Sequence, residues 1–346
     1  MKPNNVDSFV AALPKAELHL HLEGAIAPAT VVDLASRHGA ESRIEDAVAR
    51  YAYRNFAGFL EAFKWVTSFL RAPEDYALVT ERLADELLAQ NVLYAEVTLS
   101  VGVMLWRKQD VEANFATIRR AAAQAEQKGL VLRWVFDAVR QFGPAAAMDV
   151  AQWAARMKSE GVVALGMGGD ELSVPAVEFR GVYDYAAGQG LHRLVHAGEI
   201  GGPEAVRDAV ELLGAERIEH GIAAMRNERT MDFLAARQVS LDLCPTSNLR
   251  TGALARQLGR ADARIEDHPL PLFFWRGMRV TLSTDDPAMF HTSLNGEYRL
   301  AHRLGLSASE LERIAQMGFE SAFLPAEEKN SLLEKFRARS NPPGLV

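Results

Sequence analysis

The chain has 346 residues, 49% hydrophobic and 24% charged, with a formal net charge of −7. That composition is ordinary for a soluble globular protein with a core large enough to fold without a disulfide or structural metal, and the acidic balance argues against nucleic-acid or anionic-membrane partners. The one cysteine, Cys244, excludes an internal disulfide and suits a reducing cytoplasm, Met1 to Ala12 lacks the apolar core of a secretion signal, and no run approaches a membrane span.

In chain order, short apolar runs alternate with longer amphipathic ones. The predicted strands are Glu17–Leu22, Leu93–Leu99, Arg133–Val139, Val163–Met167, Arg193–His196, Arg217–Glu219, Ser240–Leu243 and Arg279–Leu282. Helical patterns lie between them, for example Val111–Lys128 and Pro203–Leu213. Strand–helix alternation implies parallel pairing with crossover helices. Eight such units predict a (β/α)₈ TIM barrel; an open doubly wound sheet is the alternative. No linker divides the chain, so 1–346 reads as a single domain. The stretch 44–88 is too long for one crossover and reads as a helical insertion of two or three helices after strand one. Beyond Ser307 the tail is helical and ends in a frayed 340–346 segment.

The first strand reads Leu18-His19-Leu20-His21-Leu22-Glu23. Side chains alternate faces along a strand, so His19, His21 and Glu23 share one face and the leucines the other. Two imidazoles at this spacing suit one metal ion, or a hydrogen-bonded pair of core histidines. Other strand ends are equally polar: Gly168-Gly169-Asp170-Glu171, His196-Ala197-Gly198-Glu199, Glu219-His220-Gly221, Cys244-Pro245-Thr246-Ser247-Asn248 and Ser283-Thr284-Asp285-Asp286-Pro287. In a barrel these ends meet on one face, where active sites sit. His19, His21, His196 and Asp285 would form a nitrogen and oxygen set suited to Zn²⁺, with iron or cobalt also compatible. Glu199, His220, Asp286 and Glu23 remain for acid–base work and substrate anchoring.

These motifs, with Pro14-Lys15-Ala16-Glu17-Leu18-His19-Leu20-His21-Leu22-Glu23-Gly24, resemble the adenosine/adenine deaminase family over about Leu13 to Leu324. The resemblance implies one zinc ion on His19, His21, His196 and Asp285. It implies that Glu199 protonates purine N1, that His220 orients the attacking water with help from Asp285, and that His21, Gly169 and Asp286 meet the substrate, the last two at N3 and N7. Attack at C6 then expels ammonia. The aromatic stretch Tyr53, Phe56, Phe59, Leu60, Phe63 and Trp65 lies where the family carries a helix over the purine pocket, with Phe59 and Phe63 on its inner face; an ordinary core stripe is the alternative.

Glu23 stands where adenosine deaminases usually carry an aspartate that contacts the ribose and adenine deaminases a glutamate. Cys244 to Gly252 looks more like the nucleoside enzymes. Thr98-Leu99-Ser100-Val101-Gly102 lacks the arginine and the Ser-Pro pair common in adenosine deaminases, and Trp106-Arg107-Lys108 follows. That segment suits a bulky or carboxylated group on the sugar, as in 6-aminodeoxyfutalosine; a solvated helix start is the alternative. The expected partner is a small purine, with no nucleic acid and no membrane, and the oligomeric state is open. The competing functions are adenine deamination, another mononuclear metal-dependent hydrolysis, and a non-catalytic relative, which would be expected to have lost ligands.

Overall fold

All eight expected strands form in the computed structural model, which describes residues 3–53 and 55–340. They are β1 Lys15–His21, β2 Val92–Leu99, β3 Val131–Val139, β4 Val162–Gly168, β5 His192–Ala197, β6 Arg217–His220, β7 Ser240–Leu243 and β8 Val280–Leu282. Each pairs in parallel with the next in chain order. The ends of the sheet meet at a bridge between Leu20 and Asp285. There the His21 N–H donates to the Asp285 carbonyl at 2.8 Å, and the Asp285 N–H donates to the His19 carbonyl at 3.0 Å. The sheet therefore closes, which removes the unpaired edges of an open sheet.

Period-two alternation splits each strand between helix layer and lumen. In β1, Leu18 and Leu20 pack outward at 0% exposure while His19, also 0% exposed, faces inward. Strand boundaries differ from the expected ones by only one or two residues, because backbone pairing continues through residues such as Gly168 and His220 that carry no apolar signal.

The insertion contains the helices Ile44–Arg50, Phe56–Thr67 and Pro73–Ala89. The middle one starts where the Asn55 side chain accepts the Gly58 N–H at 2.9 Å. After β8, Ala308–Ser321 packs across β1 and β8, and Ala326–Ser340 packs on that helix. Of the expected frayed end, residue 340 closes the last helix and 341–346 lie outside the described residues. Among the described residues no helix is long and apolar enough to cross a membrane.

Candidate active site

The C-terminal strand ends converge as parallel closure requires. His19 and His21 come from β1, His196 from β5, His220 from β6, and Asp285 and Asp286 follow β8. His220 and Asp285 both take left-handed backbone, with φ of 65° and 66°. Such a conformation is costly for a residue with a Cβ and persists where the fold over-determines it. Here it turns both side chains back into the lumen.

His19 Nε2 and His21 Nε2 each lie 3.3 Å from Asp285 Oδ1, and the His19, His21 and His196 rings pack within 5.4 Å of one another, centre to centre. Several overlapping sets of three or four donor atoms, among them His19, His196, His220 and Asp285, fall within 4.8 Å of one another. The donors fit a divalent metal on two grounds. The buried His19 Nε2 has no directed hydrogen-bond partner, and neither does either oxygen of Glu219. The carboxylates also crowd the cluster: Glu219 Oε2 is 2.6 Å from His196 Nδ1, out of line for a directed ring N–H bond, and Oε1 is 3.7 Å from His19 Nε2. Burial lowers the His196 pKa, but Glu219, Asp137 and Asp285 outweigh it and push it up to about 10. A site that pulls a proton onto a buried imidazole so strongly is one that calls for a cation. Ser247 Oγ donates to Asp285 Oδ2 at 2.6 Å, and Cys244 Sγ lies 3.5 Å from His19 Nδ1, orienting those groups from behind.

Glu199 follows β5 in a loop gripped from two sides. The Glu171 carboxylate accepts the N–H groups of Gly198 at 2.5 Å, Ile200 at 2.9 Å and Gly201 at 2.8 Å. A Cβ on Gly201 would meet Glu171 Oε1 at 2.4 Å, so glycine is required there. From the other side Gln257 Nε2 donates to the carbonyls of Glu199 and Gly201. The Glu199 side chain turns into the lumen, where it accepts a hydrogen bond from Thr251 Oγ1 at 3.1 Å. Burial, then the charge of Asp285, push its pKa up to about 7. Burial and Asp285 likewise hold Asp286 well above the usual carboxylate range. A Cβ at Gly24 would fall 1.8 Å from Asp286 Oδ1, and only glycine admits the carboxyl there.

A cavity of about 420 Å³ opens above these groups, lined by His21, His196, Glu199, His220, Asp285, Asp286, Gly169 and Asp137 at its floor. The helix Phe56–Thr67 covers it with Phe56, Phe59, Leu60, Phe63 and Thr67, which share one face. Phe59 also stacks on Phe290 at 5.1 Å. Tyr53 and Trp65 do not reach the cavity. Tyr53 precedes the helix and its hydroxyl donates to the Met289 carbonyl, while Trp65 lies on another face against Phe69 and Arg50. Trp106 and Phe142 pair at the rim, 6.0 Å apart. The Arg107 guanidinium lines the wall but donates to the Thr67 carbonyl, the Thr67 hydroxyl and the Lys64 carbonyl, so it clasps the last turn of the covering helix. Glu23 is not on the cavity surface. Its Oε1 accepts the Ser100 N–H at 3.0 Å, its buried Oε2 has no partner, and burial pushes its pKa up to about 7. A larger groove of about 640 Å³ around Arg133, His192 and Phe323 holds none of these groups.

Asp137, Glu219 and His268 received no role from the sequence, and neither did Glu171 and Asn248 within their motifs. Asp137 offered a signal as a lone carboxylate in the apolar run Trp134–Val139. Glu219 stood in the polar strand end Glu219-His220-Gly221, but its pairing with His196 depends on the register of β5 and β6.

The adenosine deaminase family model matches residues 14–339. An aminodeoxyfutalosine deaminase of Streptomyces coelicolor is 38% identical over 341 residues, covering 96% of this chain and 86% of that protein. An adenine deaminase of Sinorhizobium medicae is 32% identical over 328 residues, covering 94% and 98%. The crystal structure of an adenine deaminase from Arthrobacter aurescens superposes with a TM-score of 0.86 at 28% identity, covering 94% of this chain and 98% of that one. Sequence match, barrel and the His/Asp cluster at the strand ends agree: the chain belongs to the adenosine deaminase family and is a hydrolytic deaminase.

Proposed function

We propose that the chain removes the 6-amino group of an adenine nucleoside, and that its preferred substrate is a 5′-modified nucleoside of the aminodeoxyfutalosine type. The observation that carries this reading is the lining of the cavity. From the His/Asp cluster it continues past the residues that would hold a purine to an aromatic rim at Trp106 and Phe142, with Lys64 beside it. Trp106 is 66% exposed, an arrangement suited to covering a ligand group that reaches the mouth. The higher identity to the aminodeoxyfutalosine deaminase than to the adenine deaminase points the same way.

His19, His21, His196 and Asp285 would hold the metal, with zinc the ion that three imidazoles and a carboxylate suit well. When bound, such an ion makes a water acidic enough to attack at neutral pH. The chain supplies the rest. Glu199, gripped by its loop, would hold a proton toward N1 of the ring, which makes C6 electrophilic. Asp286, whose surroundings favour its protonated form, would donate toward N7, and Gly169 would offer its N–H to N3. The aromatic face of the covering helix keeps bulk water from the ring.

One observation favours free adenine instead: Glu23 is longer than the aspartate of adenosine deaminases and sits behind the wall rather than beside a ribose. Steady-state kinetics on adenine, adenosine and aminodeoxyfutalosine separate the readings. The proposal expects the highest kcat/KM for the 5′-modified nucleoside, and a tenfold preference for adenine would end it. Arg107→Ala should weaken all three substrates alike, since Arg107 acts on the covering helix.

A further inference from the structure

A line of buried hydrogen bonds runs to His220 from the start of the helix Leu270–Trp275. The Leu270 N–H donates to His268 Nδ1 at 3.2 Å. His268 Nε2 is 3.1 Å from Asn248 Oδ1. Asn248 Nδ2 is 3.0 Å from His220 Nδ1. Asn248 is 0% exposed, His220 1% and His268 3%, so the line is closed to bulk solvent.

The direction of every bond follows from the first. A backbone N–H only donates, so His268 Nδ1 must offer its lone pair. Burial holds the His268 pKa down to about 3, so the ring is neutral and its one proton sits on Nε2. That proton faces Asn248 Oδ1, which leaves the amide nitrogen toward His220. Turning the amide over would oppose two donors at His268 in a buried site, where an unmade hydrogen bond is expensive. His220 Nδ1 therefore accepts, and the proton of this ring is on Nε2. Nε2 looks into the lumen, 3.7 Å from Glu199 Oε2 and 3.8 Å from Asp285 Oδ2.

We propose that His268 and Asn248 are positioning residues that lock His220 with its proton on Nε2, so that His220 serves the reaction as a hydrogen-bond donor to developing negative charge. The catalytic part rests on the deaminase reading; the position of the proton does not. A donor held in place before the reaction needs no reorganisation when charge appears, which is why it stabilises a transition state more than water does. The lock spans three separate chain segments, around residues 220, 248 and 268–270, and joins the end of β6 to the helix Leu270–Trp275.

Asn248→Asp is the sharp test. The carboxylate is isosteric but only accepts, so it draws the His220 proton to Nδ1 and turns a lone pair toward the lumen. In the metal-loaded protein kcat should fall on the order of 10²-fold, with KM changed by less than about threefold. Nitrogen-15 spectra of histidine-labelled protein, assigned with His220→Gln, should show the His220 proton on Nε2 in the wild type and on Nδ1 in Asn248→Asp. His268→Gln, whose amide can donate to Asn248 Oδ1, should keep most of the turnover, and His268→Leu should lose it; this pair carries the test if Asn248→Asp does not fold. A wild-type proton on Nδ1, or Asn248→Asp turnover within about twofold of wild type, would overturn the proposal. An Nε2 proton in a protein that deaminates no purine overturns the functional reading alone.

Discussion

Glu199 and Glu219 are the same residue type inside one lumen, and their surroundings drive them apart. Burial pushes Glu199 up to about 7, with Asp285 adding to the shift. Burial acts on Glu219 too, but the His196 and His19 rings outweigh it and hold that carboxyl down at about 2. The environment alone therefore favours a protonated form for the first and an ionised carboxylate beneath the histidines for the second. Replacing Glu199 by Gln keeps the shape and the Thr251 contact but removes the transferable proton. Metal content by elemental analysis should stay at the wild-type value while kcat falls about 10²–10⁴-fold. A variant that turns over at near the wild-type rate would remove Glu199 from the acid role.

At the scale of elements, one loop and one helix shape the surroundings of the lumen groups. The loop carrying Glu199 has no regular structure of its own and takes its shape from the Glu171 carboxylate and Gln257. Glu171→Gln would leave one acceptor oxygen and set an NH₂ group against backbone donors. A displacement of about 1 Å at the acid is worth up to 10²-fold in rate, so kcat should drop by that order with metal retained. The loss should vanish when Glu171→Gln is made in the Glu199→Gln background, since the two act through one group. Equal losses in both backgrounds would mean that Glu171 only supports the fold. The covering helix is held at its start by Asn55 and at its end by Arg107. The sequence showed its apolar face, but the clasp at Arg107 depends on the approach of the Lys64–Thr67 turn to the helix after β2, which no local pattern reveals.

Across the whole molecule, the end of the barrel opposite the active site is closed by charge. Arg217, 0% exposed, lies 2.5 Å from Glu96 Oε2 and 2.6 Å from Asp242 Oδ2, and donates to the carbonyls of Leu18 and Ser321. Tyr94 and the Phe323 N–H complete Glu96, and Thr281 completes Asp242. This cluster links β1, β2, β6, β7, β8 and the segment before the last helix. Arg217→Met would strand two carboxylates in a closed interior and should lower stability by about 3–5 kcal/mol, read from denaturant midpoints. Replacing Glu96 and Asp242 by leucine in the same chain should recover part of that loss; a single Arg217→Met that unfolds at the wild-type midpoint would show the cluster contributes nothing.

The eight strands, their order and the His/Asp cluster at their ends could be read from the amino-acid order because each rests on local chemistry. Apolar alternation sets which face of a strand is buried, and motifs such as His19-Leu20-His21 and Ser283-Thr284-Asp285-Asp286 place polar groups at strand ends. Closure, and with it the convergence of those ends, came from the bridge between Leu20 and Asp285, which joins residues 265 positions apart. The tertiary structure also decided what lies behind each functional group. Glu219 under the histidines, Glu171 in the Glu199 loop, Arg107 on the covering helix, and His268 behind Asn248 and His220 all pair residues remote in sequence. A strand pattern states which way a side chain points. Only the packed barrel states what meets it there, because that partner is chosen by register, helix placement and burial rather than by any neighbour along the chain.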